Sequence, residues 1–451
     1  KYMNKKIRMG LKYILGILFL LLVIVIKPVD RTHFIESDYY KSAQLKLDSL
    51  KANTTFDTNS QLEIGWAKVN ITPKIPTPLS GYGSRKGALS VGVHDSLWVR
   101  GFIFKNQTEK IAFITLDALI VPPAVTHQLI EQLPSIGFDI QHVYLTATHT
   151  HSSMGAWGNS FIGELFAGEF DQNVVDQLTS KILNVIQKAE KNIEPSQIGY
   201  AEYKAPELVS NRLVDEKGII DPWFRVMKVK KNSGKTALLT TFSAHATCLA
   251  SDELMFSRGY PGQLVDSLES LTGIEFAAFA AGSVGSHRPE SGGFGQHERT
   301  KWLAASLKQK VNHKTIPMGK INPLKMVLFD LPLREAHWRF SKNWRFRPWV
   351  FNFLSEQSPH FISVLQIGNI VFSGTPCEFS GELIPEIKAG INQPKLDLII
   401  TSFNGGYIGY ITKDCWYDLK EYETFIMNWF GPNNGQYFVN IIQNLINIIT
   451  I

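Results

Sequence analysis

The segment Val143-Tyr144-Leu145-Thr146-Ala147 carries no charge and reads as a buried strand, yet it runs directly into Thr148-His149-Thr150-His151-Ser152-Ser153. A buried strand that ends in two imidazoles, one residue apart, constrains both fold and chemistry. Side chains alternate across a strand, so the spacing predicts His149 and His151 on one side. Such a pair can hold a metal together, or one imidazole can ligate while its neighbour moves a proton. Exposed or hydrogen-bonded loop histidines would show the same spacing, so further ligands must come from elsewhere in the chain.

The surrounding pattern favours an α/β fold. Trp66–Thr72 alternates as a strand and stops at Pro73, while Leu97–Phe104 and Lys110–Leu116 read as further strands. Val174–Ala189 has helical spacing. Thr236–His245 is a second apolar strand that ends in a histidine, and Phe361–Ser373 reads as a hairpin turning at Gly368-Asn369. Phe438–Ile451 has the broad apolar face of a helix. Strands and helices interleave, which points to mixed β-sheets flanked by helices rather than an all-β sandwich.

The N-terminus differs in character. Lys1, Lys5, Lys6, Arg8 and Lys12 precede an apolar run from Tyr13 to Ile26, the pattern of a signal peptide or, with no small-residue cleavage site following, an uncleaved signal anchor over 1–27. Removing those five cations from the 46 basic residues leaves 41 against 40 acidic ones. The body is therefore close to neutral, which argues against a nucleic-acid partner. Residues 28–61 are polar and mixed and read as a juxtamembrane stalk. Positive residues at the start of an anchor stay cytoplasmic, so the body is expected to be membrane-anchored on the periplasmic or extracellular side. Three cysteines, Cys248, Cys377 and Cys415, allow one disulfide at most.

A catalytic zinc needs three or four ligands and room for water. His245 closes a strand, Glu378 follows the hairpin, and Tyr410 lies in the glycine-rich run Asn404–Thr412. Spacing alone does not select them. Taken in order, however, Ala67–Pro73, Gly81-Tyr82-Gly83, Gly92–Arg100, Thr148–Ser152, Asn211-Arg212, His245, Glu378-Phe379, Tyr407–Thr412 and Tyr422 resemble the neutral, non-lysosomal ceramidases over most of residues 62–451. The resemblance implies a single large catalytic domain over 62–451, with Zn2+ held by His149, His245, Glu378 and Tyr410. It also implies that His151, Arg212 and Tyr422 surround the reacting carbonyl. The expected reaction is hydrolysis of the N-acyl amide bond of ceramide-like lipids, giving fatty acid and sphingoid base at a membrane. The residue types suit it: zinc lowers the pKa of bound water to about 7, His151 can protonate the departing amine, and Arg212 and Tyr422 can donate to an oxyanion.

Three features depart from that family. Its catalytic serine block corresponds to Ala277–Pro289, where Arg288 or Gly285 takes the serine's place according to the alignment; Arg288 then reads equally as an anion-recognising group or a structural ion pair. About 40 residues follow Tyr410, too few for the roughly 100-residue sandwich that would match the better-known members' extra C-terminal domain. Trp338–Phe351 interleaves aromatics with cations, as a membrane interface does. Two other readings stay open: another metal hydrolase, such as a barrel amidohydrolase with its own His-x-His, and a catalytically silent lipid-binding homologue.

Overall fold

The computed structural model describes residues 5–53, 61–74, 76–319, 323–356 and 358–450, with the side chains of residues 5, 6 and 17–22 outside that description. The main sheet comprises β1 (Glu63–Asn70), β2 (Trp98–Lys105), β3 (Lys110–Leu116), β4 (Val143–Ala147), β5 (Glu194–Lys204), β6 (Trp223–Lys231), β7 (Thr236–Phe242) and β8 (Phe276–Ala281). Their order is β8-β7-β6-β5-β1-β2-β3-β4, antiparallel except for the outermost pairs. A (β/α)8 barrel is therefore excluded, and with it the barrel amidohydrolase.

Pairing between β1 and β5 is confined to Glu63 with Pro195 and Ile64 with Glu194, so the sheet divides into two halves at that junction. The halves close on each other. Thr115 Oγ1 on β3 donates to Phe279 O on β8 at 2.6 Å, and Arg100 Nη1 on β2 donates to Ala277 O at 3.0 Å. In this way the segments after β4 and β7, far apart in strand order, arrive at one place.

A second sheet, ordered β9 (Leu324–Asp330), β10 (Phe361–Ile367), β11 (Ile370–Thr375) and β12 (Asp397–Ser402), packs face to face with the first. The hairpin expected from sequence is β10–β11, with Ile367 opposite Ile370 and Gly368 at φ +62° in the turn. Alternation explains the layering. Phe102, Phe104, Phe113 and Tyr144 meet Leu365, Phe372 and Ile399 between the sheets. Val99, Ile103, Ile114 and Leu145, on the opposite face, pack under helices such as Gln172–Glu190. The outer face of the second sheet is covered by the C-terminal helix Asn434–Ile449. The result is helices, sheet, sheet, helices, in agreement with the α/β expectation.

Part of the segment expected to be a stalk is folded onto the body. Helix Asp38–Asn53 buries Ala43 and Leu47 in the cluster built on the C-terminal helix, and Phe34 meets Tyr437 with ring centroids 5.9 Å apart. Its polar residues are the solvent face of an amphipathic helix, which a composition averaged over both faces conceals. Residues 54–60 lie outside the described residues. Among the described residues no helix is long and apolar enough to cross a membrane. The N-terminal helix spans Lys5–Val25, and the centre of its apolar run, at 17–22, is where side chains are not described. Cys248 and Cys377 are buried free thiols and Cys415 is exposed, so no disulfide joins them.

Between the two sheets, the hydroxyl of Tyr144 lies 2.6 Å from Thr401 Oγ1 and both side chains are fully buried. Replacing Tyr144→Phe leaves Thr401 without that partner in a dry interface. We expect it to lower the unfolding free energy by about 1–3 kcal/mol in urea titrations.

Candidate metal centre

His149 and His151 fall beyond the end of β4, so strand alternation is not what aligns them. His149 takes a left-handed backbone at φ +62°, a conformation costly for a residue with a Cβ and typical of functional sites. Its ring is fixed by stacking on Phe403, with centroids 4.2 Å apart, and Nδ1 donates to Leu119 O at 2.6 Å. Gly81, at φ +120°, makes room for the second histidine, since a Cβ there would lie 2.8 Å from His151 Nδ1. Tyr82 then covers the His151 ring at 4.7 Å.

Three ring nitrogens converge. His149 Nε2 lies 2.9 Å from His245 Nε2, and His151 Nε2 lies 3.3 Å and 3.0 Å from the other two. Nitrogens around one tetrahedral zinc sit about 3.3 Å apart, given Zn–N bonds of about 2.0–2.1 Å. Burial is the main reason all three imidazoles stay neutral: it brings His149 down to about 3 and lowers His151 and His245 well below the usual range. The tautomers follow from the neighbours. His149 Nδ1 faces a carbonyl, and His245 Nδ1 faces Val284 O and Glu378 Oε2, both acceptors, so each Nε2 is a bare lone pair. Two lone pairs 2.9 Å apart repel unless a cation lies between them. The donor set therefore fits a metal.

Glu378 and Tyr410 are register partners in the short parallel strands Glu378–Phe379 and Tyr410–Ile411. Gly409 permits this approach, with φ +79° and Met427 O only 2.1 Å from where a Cβ would sit. Glu378 Oε1 accepts from Tyr407 OH at 2.8 Å, whereas Oε2 is buried without a hydrogen bond, 3.7 Å from His149 Nε2. Burial pushes the Glu378 carboxyl up to about 7, with nearby Arg212 opposing. Arg212 donates from Nη2 to Tyr410 OH at 2.8 Å, pairs through Nε with Glu423 at 2.8 Å, and stands 3.9 Å from Glu378 Oε2. Tyr422 is 42% exposed, in a π-helical turn, with its ring edge-on to Tyr410.

All seven expected site residues line one cavity of about 710 Å3, whose walls include Leu119, Ile120, Trp157, Phe351, Met427 and Trp429. The structure adds His151 to the nitrogen cluster, and it adds Tyr82, Phe403, Tyr407 and Glu423 as supports. Of these, Tyr82 and Tyr407 stood inside motifs visible in the sequence, whereas Phe403 and Glu423 carried no signal. No residue of the Ala277–Pro289 block lines the cavity. Ser283 and Ser286 are fully buried, and Ser286 Oγ lies 2.6 Å from Ser380 Oγ. Arg288 is half exposed and bonds Ser210 and Asp215, the structural ion pair of the two sequence readings.

Behind the site, Arg85 is buried and its guanidinium donates to the carbonyls of Ser80, His151, Ala250, Ser251 and Glu253. One side chain thus holds the histidine loop against the 250–253 loop.

Comparison with known proteins gives a family and a fold. The sequence profile described as neutral/alkaline non-lysosomal ceramidase, N-terminal, matches residues 62–294. Neutral ceramidase A of Dictyostelium discoideum is 23% identical over 54% of this chain and 38% of its own length. The neutral ceramidase of Pseudomonas aeruginosa is 23% identical over 50% of this chain and 36% of its own. In these alignments the chain thus spans little more than a third of each relative. The solved Pseudomonas aeruginosa neutral ceramidase superposes with TM-score 0.73 at 18% identity, covering 87% of this chain and 76% of that one, and so shares its fold.

We expect His149→Ala and His245→Ala to abolish metal retention, measured by elemental analysis of purified protein. The nitrogen geometry predicts the same for His151→Ala; metal retained in that variant would return His151 to the role of proton carrier. Gly81→Ala should weaken metal affinity about 10–100-fold by displacing the His151 ring.

Proposed function

Because the chain belongs to the neutral/alkaline non-lysosomal ceramidase family, we propose that it is a zinc-dependent hydrolase cleaving the N-acyl amide bond of ceramide-like lipids to a fatty acid and a sphingoid base. The observation that carries this reading is the convergence of three neutral imidazole nitrogens beside Glu378 Oε2, a buried oxygen without a hydrogen bond, in a cavity with largely apolar walls. In this reading His149, His151 and His245 hold the ion and Glu378 completes the donor set, with Tyr410 beside it. Bound zinc would supply Lewis acidity toward an amide carbonyl and an activated water.

The chain's own residues account for the rest. Arg212, locked between Tyr410 and Glu423, presents fixed positive charge where a carbonyl oxygen would become negative, without reorganisation at the moment of reaction. Glu378, held by Tyr407 OH on Oε1, presents Oε2 toward the three imidazoles as the fourth donor. Tyr422, half exposed beside Tyr410, can donate to a substrate hydroxyl. The apolar walls take up acyl and sphingoid chains and exclude water. No serine of the Ala277–Pro289 block reaches the cavity, so the proposed chemistry involves no serine from it.

The reading extends to location. The exposed Ile7, Leu11, Ile14 and Leu15 on the N-terminal helix, with Arg8 and Lys12 among them, support an anchor over residues 1–27 that keeps the body at a membrane on its periplasmic or extracellular side.

Purified protein incubated with ceramides should release fatty acid, lose that activity on chelation and regain it with zinc. His245→Ala should reduce kcat/KM by on the order of 1000-fold or more. Turnover of other amides or esters with none of ceramide would overturn the substrate. Zinc binding with no turnover of any of these substrates would leave a lipid-binding homologue.

A further inference from the structure

Trp338–Phe351 is folded inside out for a surface loop. Two of its four cations, Arg339 and Arg345, are 5% and 1% exposed, and Arg339 is held by Tyr417 O and Thr424 O, each at 2.6 Å. Three of its six aromatics point outward: Phe340, Trp344 and Trp349 are 45%, 45% and 50% exposed, and Phe353 just beyond is 81% exposed. Water is a poor solvent for such a surface. The position explains it, because the short helix Pro348–Leu354 turns Phe351 into the cavity while Trp349 and Phe353 face away.

Two other elements of the rim repeat the arrangement. In helix Phe161–Ala167, Ile162 and Phe166 line the cavity while Phe161 and Leu165 are exposed. In the turn Tyr422–Ile426, Tyr422 lines it while Ile426 is exposed. The same rim grips the end of the N-terminal helix. Arg347 N and Nε donate to Val25 O and Val23 O, Trp349 Nε1 donates to Ile24 O at 3.0 Å, and Ile26–Pro28 pairs with Trp344–Phe346.

We propose that this collar is a bilayer-docking face, with Trp344, Trp349 and Phe353 seated among lipid headgroups so that a lipid substrate passes from membrane to cavity without crossing water. Indole rings favour that depth. The occupant is a lipid surface rather than a protein because the collar surrounds the mouth of a cavity read as a lipid site and is continuous with an exposed apolar helix. The inference rests on the proposed lipid hydrolysis, and its test separates the two.

The full chain is mixed with phosphatidylcholine vesicles containing phosphatidylglycerol and brominated acyl chains, and tryptophan quenching is recorded. Docking predicts strong quenching that falls by at least half in the double variant Trp344→Phe, Trp349→Phe. Phe353→Asp, whose exposed side chain has little folding role, should weaken vesicle binding about tenfold and slow hydrolysis of vesicle-embedded ceramide. It should leave hydrolysis of a dispersed short-chain ceramide unchanged. Equal quenching in wild type and double variant, or Phe353→Asp binding like wild type, overturns the docking face even if hydrolysis is found. Quenching and binding as predicted, without hydrolysis of either substrate, leave the face standing and reject the function.

Discussion

The closing of the main sheet on itself is the constraint from which the site follows. His149 and His245 leave strands that lie near opposite ends of the strand order, and a flat sheet of eight strands would hold them tens of ångströms apart at about 4.8 Å per strand. The weak β1–β5 junction lets the two halves fold together, and buried hydrogen bonds from Thr115 and Arg100 to the backbone of β8 seal the closure. Arg100 is itself neutralised by Glu269 at 2.6 Å, so a charge that would oppose burial becomes part of the seam. With the scaffold closed in this way, the histidine loops need only short excursions to meet.

What could be read from the chain was whatever depends on neighbours in sequence. The charge-free β4, the Gly368-Asn369 hairpin, the helix over 172–190 and the C-terminal helix were legible because period and turn chemistry are local. The seven residues that line the cavity together were singled out only as an ordered set of motifs, since no local rule links His149 to Glu378. Three things were hidden for physical reasons. The left-handed turn at His149 replaces strand alternation as the cause of the histidine geometry, and backbone strain leaves no mark in a residue type. The packing of residues 34–53 depends on a partner helix about 400 residues later. The inward cations of Arg339 and Arg345 invert the usual rule for surface loops, and only their burial shows it.

The geometry also changes how the two histidines of the opening motif relate. The family resemblance divided them into ligand and proton carrier, whereas their Nε2 atoms stand nearly equivalent around one point. Glu378 Oε2 lies 3.6 Å from His245 Nδ1 and 3.9 Å from Arg212 Nη2, so a carboxylate and a guanidinium together set the charge beside the three nitrogens. Function in this centre is shared through contact, so a single residue's role is defined by the others present.

Arg85 shows what that sharing means for divergence. Its guanidinium is spent on carbonyls from three separate stretches of chain, at 80, at 151 and at 250–253. Lengthening any of those loops by one residue would withdraw a carbonyl that the others depend on, so insertions and deletions there are barred together. The collar has no such knot. A change of selectivity on this scaffold is therefore easier to build at the mouth than at the histidine floor.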